Sequence, residues 1–113
     1  MANALVVFLS GGAGCLSRYL LSLCVFPIMG LPVATLIVNV SGGFLAGVVA
    51  TKFAHLKPIL LIGFLGGFTT FSAFSLECLS MIQNQQIVMA FAYIIASVFL
   101  SITASWFGNY LFS

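Results

Sequence analysis

Few side chains in this 113-residue chain can do chemistry, and most of those are neutral. Asn39 lies well inside an apolar stretch, where an amide must find partners; it can donate two hydrogen bonds and accept two. Thr35, Asn39, Gly42, Gly43 and Ala46 follow the helical spacing i, i+4, i+7, i+8, i+11, and Gly43 with Gly47 makes a GxxxG pair. Such a face either glues helices together or lines an anion path with an amide donor. Tyr93, Ser97, Ser101 and Ser105 stand four apart and form one hydroxyl stripe. Isolated serines often bond back to their own helix. Four in register serve either helix packing or a polar path. Phe71 and Phe74 share a side at i, i+3, with Glu77 following on nearly the same side. Paired phenylalanines in a membrane helix usually fill a core or face lipid. Beside hydroxyls, their electropositive ring edges can instead help hold an anion without a trapping cation.

The charged residues are Arg18, Lys52, Lys57 and Glu77, with His55 as a solvated loop residue. An ionisable residue inside a span is a functional hypothesis by default. Glu77 therefore marks a site, unless it sits near the interface and is simply solvated. Arg18 is either a buried counter-charge or a snorkelling anchor. One acid, one histidine and scattered serines make no nucleophile–base pair, so no enzyme is expected. No phosphate loop, basic run or metal-ligand spacing occurs, which removes nucleic acid as a partner. Cys15, Cys24 and Cys78 read as small packing residues in apolar stretches.

These residues need a lipid-embedded scaffold. Hydrophobic residues make up 63% of the chain and charged ones 4%, against about 25% charged in a soluble domain. Mean hydropathy is +1.31, so lipid must solvate this surface. A spanning helix needs roughly 20 apolar residues. Four segments qualify in a single domain covering residues 1–113: helices are expected over about 4–26, 32–51, 58–82 and 87–110. The stretch Pro27-Ile28-Met29-Gly30 breaks the first, and Pro32 starts the second. Residues 52–57 form the charged loop, and Gln83-Asn84-Gln85-Gln86 an uncharged turn. The first stretch lacks a basic leader region and reads as an uncleaved helix. Lys52 and Lys57 lie on the side of both termini, with Arg18 toward the other. That weak bias permits insertion both ways up, or a single orientation fixed by the two lysines. In the third segment Gly63, Gly66 and Gly67 precede Thr69 and Thr70. A break there would mark a functional core, since irregular backbone survives at membrane depth only when buried or lining a wet cavity. The other reading is a continuous helix whose glycines allow close packing.

The run Gly63-Phe64-Leu65-Gly66-Gly67-Phe68-Thr69-Thr70-Phe71-Ser72-Ala73-Phe74-Ser75-Leu76-Glu77 closely resembles the third-helix signature of the small fluoride channel family. That family was first named for camphor resistance and chromosome condensation. Gly11-Gly12-Ala13-Gly14-Cys15-Leu16-Ser17-Arg18 resembles its glycine-rich first helix, and Asn39 with Gly42 and Gly47 its second-helix motif. The resemblance covers nearly the whole chain. Ala73 departs from it where threonine is common, and Phe68 where an aliphatic residue is usual.

The resemblance implies an all-α integral membrane protein with four transmembrane helices, the third broken near its middle, assembled as an antiparallel dual-topology homodimer. It implies passive, fluoride-selective export from the cytoplasm through two pores per dimer, in a bacterial inner membrane. Pore positions match Asn39, Thr70, Phe71, Phe74, Tyr93, Ser97 and Ser101, with Glu77 close by. Main-chain carbonyls of Gly66 and Thr69 match those binding a structural sodium ion at the dimer centre, and Arg18 is a structural charge. The alternatives are a small multidrug-type dual-topology transporter, which needs a glutamate in its first helix, and a structural membrane subunit. The first helix here holds no acid.

Overall fold

A computed structural model describes residues 2–27 and 30–113. Ile28 and Met29 of the expected helix breaker lie outside the described residues. Among the described residues, four helices are long and apolar enough to cross a membrane. We label them α1 (Ala2–Cys24), α2 (Val33–Lys52), α3 (Pro58–Gln83) and α4 (Ile87–Phe112). The chain is all-helical and multi-pass. Its long axis of 46 Å exceeds the roughly 30 Å of a hydrocarbon core.

Local chemistry sets the boundaries. Pro27 disfavours helical backbone at Phe26, and the last bond of α1 is Val25 N–H to the Leu21 carbonyl at 3.2 Å. Pro32 sits at the N-cap of α2. After α2, a 3₁₀ turn over Ala54–Leu56 leads directly into Pro58. The uncharged turn between α3 and α4 closes by a Schellman motif. Gln86 N–H reaches the Met81 carbonyl at 2.8 Å, and Gln85 N–H that of Ile82 at 3.1 Å. Gln85 takes φ 62°, a left-handed conformation that ordinarily selects glycine.

The spans pair as α1 with α3 and α2 with α4. Both pairs meet backbone to backbone through glycine. A Cβ on Gly67 would collide with the Gly11 carbonyl of α1, and one on Gly47 with the Ser105 carbonyl of α4. With lipid as solvent, van der Waals fit of this kind holds helices together. Phe74, Cys78, Met81, Ala90 and Tyr93 form a buried cluster where the end of α3 lies on α4. Most other large apolar side chains face outward, as lipid solvation allows. Of the cysteines only Cys78 packs inside; Cys15 and Cys24 are exposed on α1, so apolar neighbours in sequence did not make them core residues.

α3 is irregular. Pro58–Leu65 is π-helical, Gly66–Phe68 makes one α-helical turn, and Ser72–Gln83 is regular α-helix. Between the last two, Thr69 is extended with φ −82° and ψ 158°.

Candidate functional site

Backbone groups freed around Thr69 and Thr70 must find other partners at this depth. Asn39 supplies two of them. Its Nδ2 donates to the Thr70 carbonyl at 2.9 Å, and its Oδ1 accepts from Thr70 N–H at 2.8 Å. Thr70 Oγ1 accepts the Ala73 N–H at 3.1 Å, capping the helix that follows. Thr69 turns its own hydroxyl back to the Leu65 carbonyl at 2.9 Å. Arg18 Nε reaches the Gly67 carbonyl at 3.3 Å. The guanidinium thus puts positive charge on the carbonyl end of a helical turn, where it is favourable. Arg18 is half-buried and engaged with backbone, between the two roles its position left open.

These contacts shape a cleft of about 490 Å³. α2 supplies Asn39, Gly42, Gly43 and Ala46; α3 supplies Gly66, Thr69, Thr70, Phe71 and Phe74; α4 supplies Ser97 and Ser101. Ser97 is 6% exposed, and its Oγ has no hydrogen-bond partner among the described residues. Five serines elsewhere behave differently. Ser10, Ser17, Ser22, Ser41 and Ser75 all bond a carbonyl of their own helix. A buried hydroxyl left unpaired costs about 1–3 kcal/mol, so Ser97 is a donor awaiting an acceptor. Phe71 and Phe74 rings lie 5.5 Å apart at 49°. Phe74 is buried while Phe71 is 76% exposed, so the cleft is open on the Phe71 side.

Tyr93 and Glu77 stand apart from this cleft. Tyr93 OH donates to Glu77 Oε1 at 2.8 Å, and Thr35 Oγ1 donates to Glu77 Oε2 at 2.7 Å. Glu77 instead lines a second cleft on the other side of α3, with Arg18, Thr35 and Thr70. Thr35 was legible as part of the polar face of α2 but not as a partner of the acid. Phe74 connects the two regions: its ring lies 5.1 Å from that of Tyr93.

Four membrane-spanning helices, the third with extended backbone at Thr69 beside an uncharged cleft of hydroxyls, an amide and aromatic rings, define an integral membrane protein with an intramembrane polar site. No side-chain cation faces the cleft, and no cluster of three metal-ligating side chains exists among the described residues. The model of the CrcB-like, camphor-resistance family matches residues 5–109, and the chain belongs to that family. It is 46% identical to the fluoride-specific ion channel FluC of Saccharophagus degradans over 88% of this chain and 81% of the relative. It is 44% identical to that of Caulobacter vibrioides over 94% and 92%, and 38% identical to that of Coxiella burnetii over 94% of each. These relatives are named as channels, not enzymes.

Proposed function

We propose that this protein is a fluoride-selective channel that lets fluoride leave the cytoplasm passively across a bacterial inner membrane. The observation that carries the reading is Ser97. Its buried, unpaired hydroxyl lies in a cleft with Asn39, Phe71, Phe74 and Ser101. Fluoride is small and strongly hydrated, so a path must replace water with short donors. Hydroxyls and aromatic edges do this without a fixed cation that would hold the ion, and conduction requires release as well as binding. An inside-negative potential of ~100 mV is worth about 2.3 kcal/mol per charge, enough to keep internal fluoride roughly 50-fold below external.

The working unit is an antiparallel homodimer with two pores. The cleft of one chain is far wider than fluoride and is open beside Phe71, so a second copy must narrow it. The broken third helix supplies the remaining element, a structural sodium ion on the carbonyls of Gly66 and Thr69. The donor set suits it. Thr70 N–H, which in a continuous helix would bond the Gly66 carbonyl, goes to Asn39 instead. Such an ion would neutralise carbonyl dipoles where two breaks meet. Glu77 and Tyr93 then act beside the pore through Phe74 rather than within the cleft. A multidrug-type exchanger needs an acid free to trade protons, and Glu77 is engaged at both oxygens.

Purified protein in fluoride-loaded liposomes tests the proposal. Fluoride should escape rapidly while chloride is retained. Phe71→Ile and Phe74→Ile keep apolar bulk and should cost under about 1.5 kcal/mol of stability, yet lower fluoride flux sharply. Equal loss of both halides would refute fluoride selectivity, and no loss of either would refute channel function. Normal flux in both variants would remove the aromatic edges from the path but leave Asn39 and Ser97.

A further inference from the structure

We propose, resting on the channel reading above, that Gly42 is a positioning residue for the fluoride path: it lets α2 approach α3 closely enough for Asn39 to close on Thr70. Two residues on one face of α2 meet two consecutive residues of α3. Asn39 and Gly42 stand i, i+3 and so share a side. Asn39 holds both backbone groups of Thr70, at 2.8 and 2.9 Å. Gly42 is buried against Thr69, and a Cβ there would run into the Thr69 methyl, Cγ2. The missing side chain therefore sets the spacing at which Asn39 works. The neighbouring Gly43 has a different task. A Cβ on it would lie 2.7 Å from the Ser101 carbonyl oxygen, so Gly43 fits α2 to α4.

The Thr69 methyl cannot swing out of the way. Thr69 Oγ1 donates to the Leu65 carbonyl at 2.9 Å, and that bond fixes χ1 with Cγ2 toward α2. Neither of the other staggered rotamers relieves a side chain at position 42. One turns the hydroxyl toward α2 in place of the methyl. The other drives the methyl against the Leu65 carbonyl. The backbone must move instead, and Thr70 moves with Thr69. Asn39 cannot follow, because it is carried on the same helix as the new side chain. A displacement of ~1 Å would take both of its bonds to Thr70 beyond hydrogen-bonding distance. Asn39 and Thr70 both line the cleft that holds Ser97, so the path itself would lose its shape.

A double-mutant cycle on the full chain tests this with two readouts: fluoride efflux from liposomes, and deuterium exchange of the Thr70 amide followed by NMR in micelles. Gly42→Ala should slow efflux roughly tenfold or more, as an ångström-scale misplacement does. Thr70 N–H should exchange about tenfold faster, having lost its acceptor. Thr69→Ser keeps the hydroxyl and removes the methyl. Whatever its own efflux, adding Gly42→Ala to the Thr69→Ser variant should change either readout by less than about twofold, a coupling expected of residues in contact. Thr69→Val keeps the obstructing methyl and should give no relief. Gly43→Ala should not be relieved by Thr69→Ser. Unchanged exchange at Thr70 in Gly42→Ala would overturn the proposal, even with slower efflux. So would an equal loss with and without the Thr69 methyl, which would reduce Gly42 to general packing. If Gly42→Ala alone fails to fold, recovery of folding by Thr69→Ser but not by Thr69→Val supports the proposal, and recovery by neither overturns it. A wild type that passes no fluoride would refute the channel reading, while Thr70 exchange would still confirm or overturn the placement of Asn39 by Gly42.

Discussion

Tyr93 and Ser97 are one helical turn apart on the same face of α4, yet their hydroxyls live differently. Tyr93 donates to Glu77, whose other oxygen is held by Thr35, so that knot is closed. Ser97, also buried, has no hydrogen-bond partner among the described residues. A stripe of hydroxyls at i, i+4 fixes only which face they share. What each can do depends on the element opposite. Above Ser97, α3 brings a carboxylate; at Ser97, it brings a cleft. The first arrangement stabilises the fold, and the second leaves a donor to a passing ion.

The sharpest way to break this contrast is to remove what holds the cleft in shape. Asn39→Leu strands both the N–H and the carbonyl of Thr70. We expect a loss of roughly 3 kcal/mol in unfolding measurements and the disappearance of fluoride flux. Asn39→Asp keeps the acceptor but not the donor, so its stability should fall about halfway between. Unchanged stability in the leucine variant would mean that α3 does not rely on this amide.

A paired experiment addresses the two hydroxyls directly. Tyr93→Phe leaves one Glu77 oxygen unpaired, at a cost of about 1–3 kcal/mol. Ser97→Ala removes a group that is already unsatisfied, so stability should hold within about 0.5 kcal/mol or rise. Flux should run the other way, with Ser97→Ala reducing it about tenfold or more. Thermal unfolding in detergent and liposome efflux, measured on both variants, should give crossed outcomes. If both lose stability alike, the Ser97 hydroxyl has a structural partner after all.

The smallest effect belongs to the turn that brings α4 back against α3. Gln85 holds φ 62°, so Gln85→Gly relieves a left-handed side chain. A gain of about 0.5–1 kcal/mol is expected, with flux unaltered. A loss would show that the glutamine side chain contributes more than its backbone strain.

Much of this was legible in the sequence. Hydropathy located the spans because lipid leaves no alternative to long apolar runs. The run of Gly66, Gly67, Thr69 and Thr70 drew attention to the third, and Asn39 announced itself as an amide in need of partners. Spacing alone could not say that both ends of that amide would close on one residue, Thr70. Nor could it split Tyr93 from Ser97, since periodicity carries azimuth but not what stands across the gap. Thr35 was legible only as part of a polar, small-residue face, because its partner is 42 positions away. Cys15 and Cys24 went astray for a related reason: in a membrane protein an apolar stretch is as much outside as inside.

The π-helical opening of α3 has one more consequence. Each residue of an α-helix turns the chain by about 100°. A π-helical segment is wider and turns less per residue, so Pro58–Leu65 delivers Gly66 and Gly67 at a different angular phase. That phase is what points Gly67 at the Gly11 carbonyl of α1. Holding the same eight residues as an ordinary helix would rotate everything after them by roughly the angle of one residue. The composition would be unchanged, but Gly67 would no longer face α1.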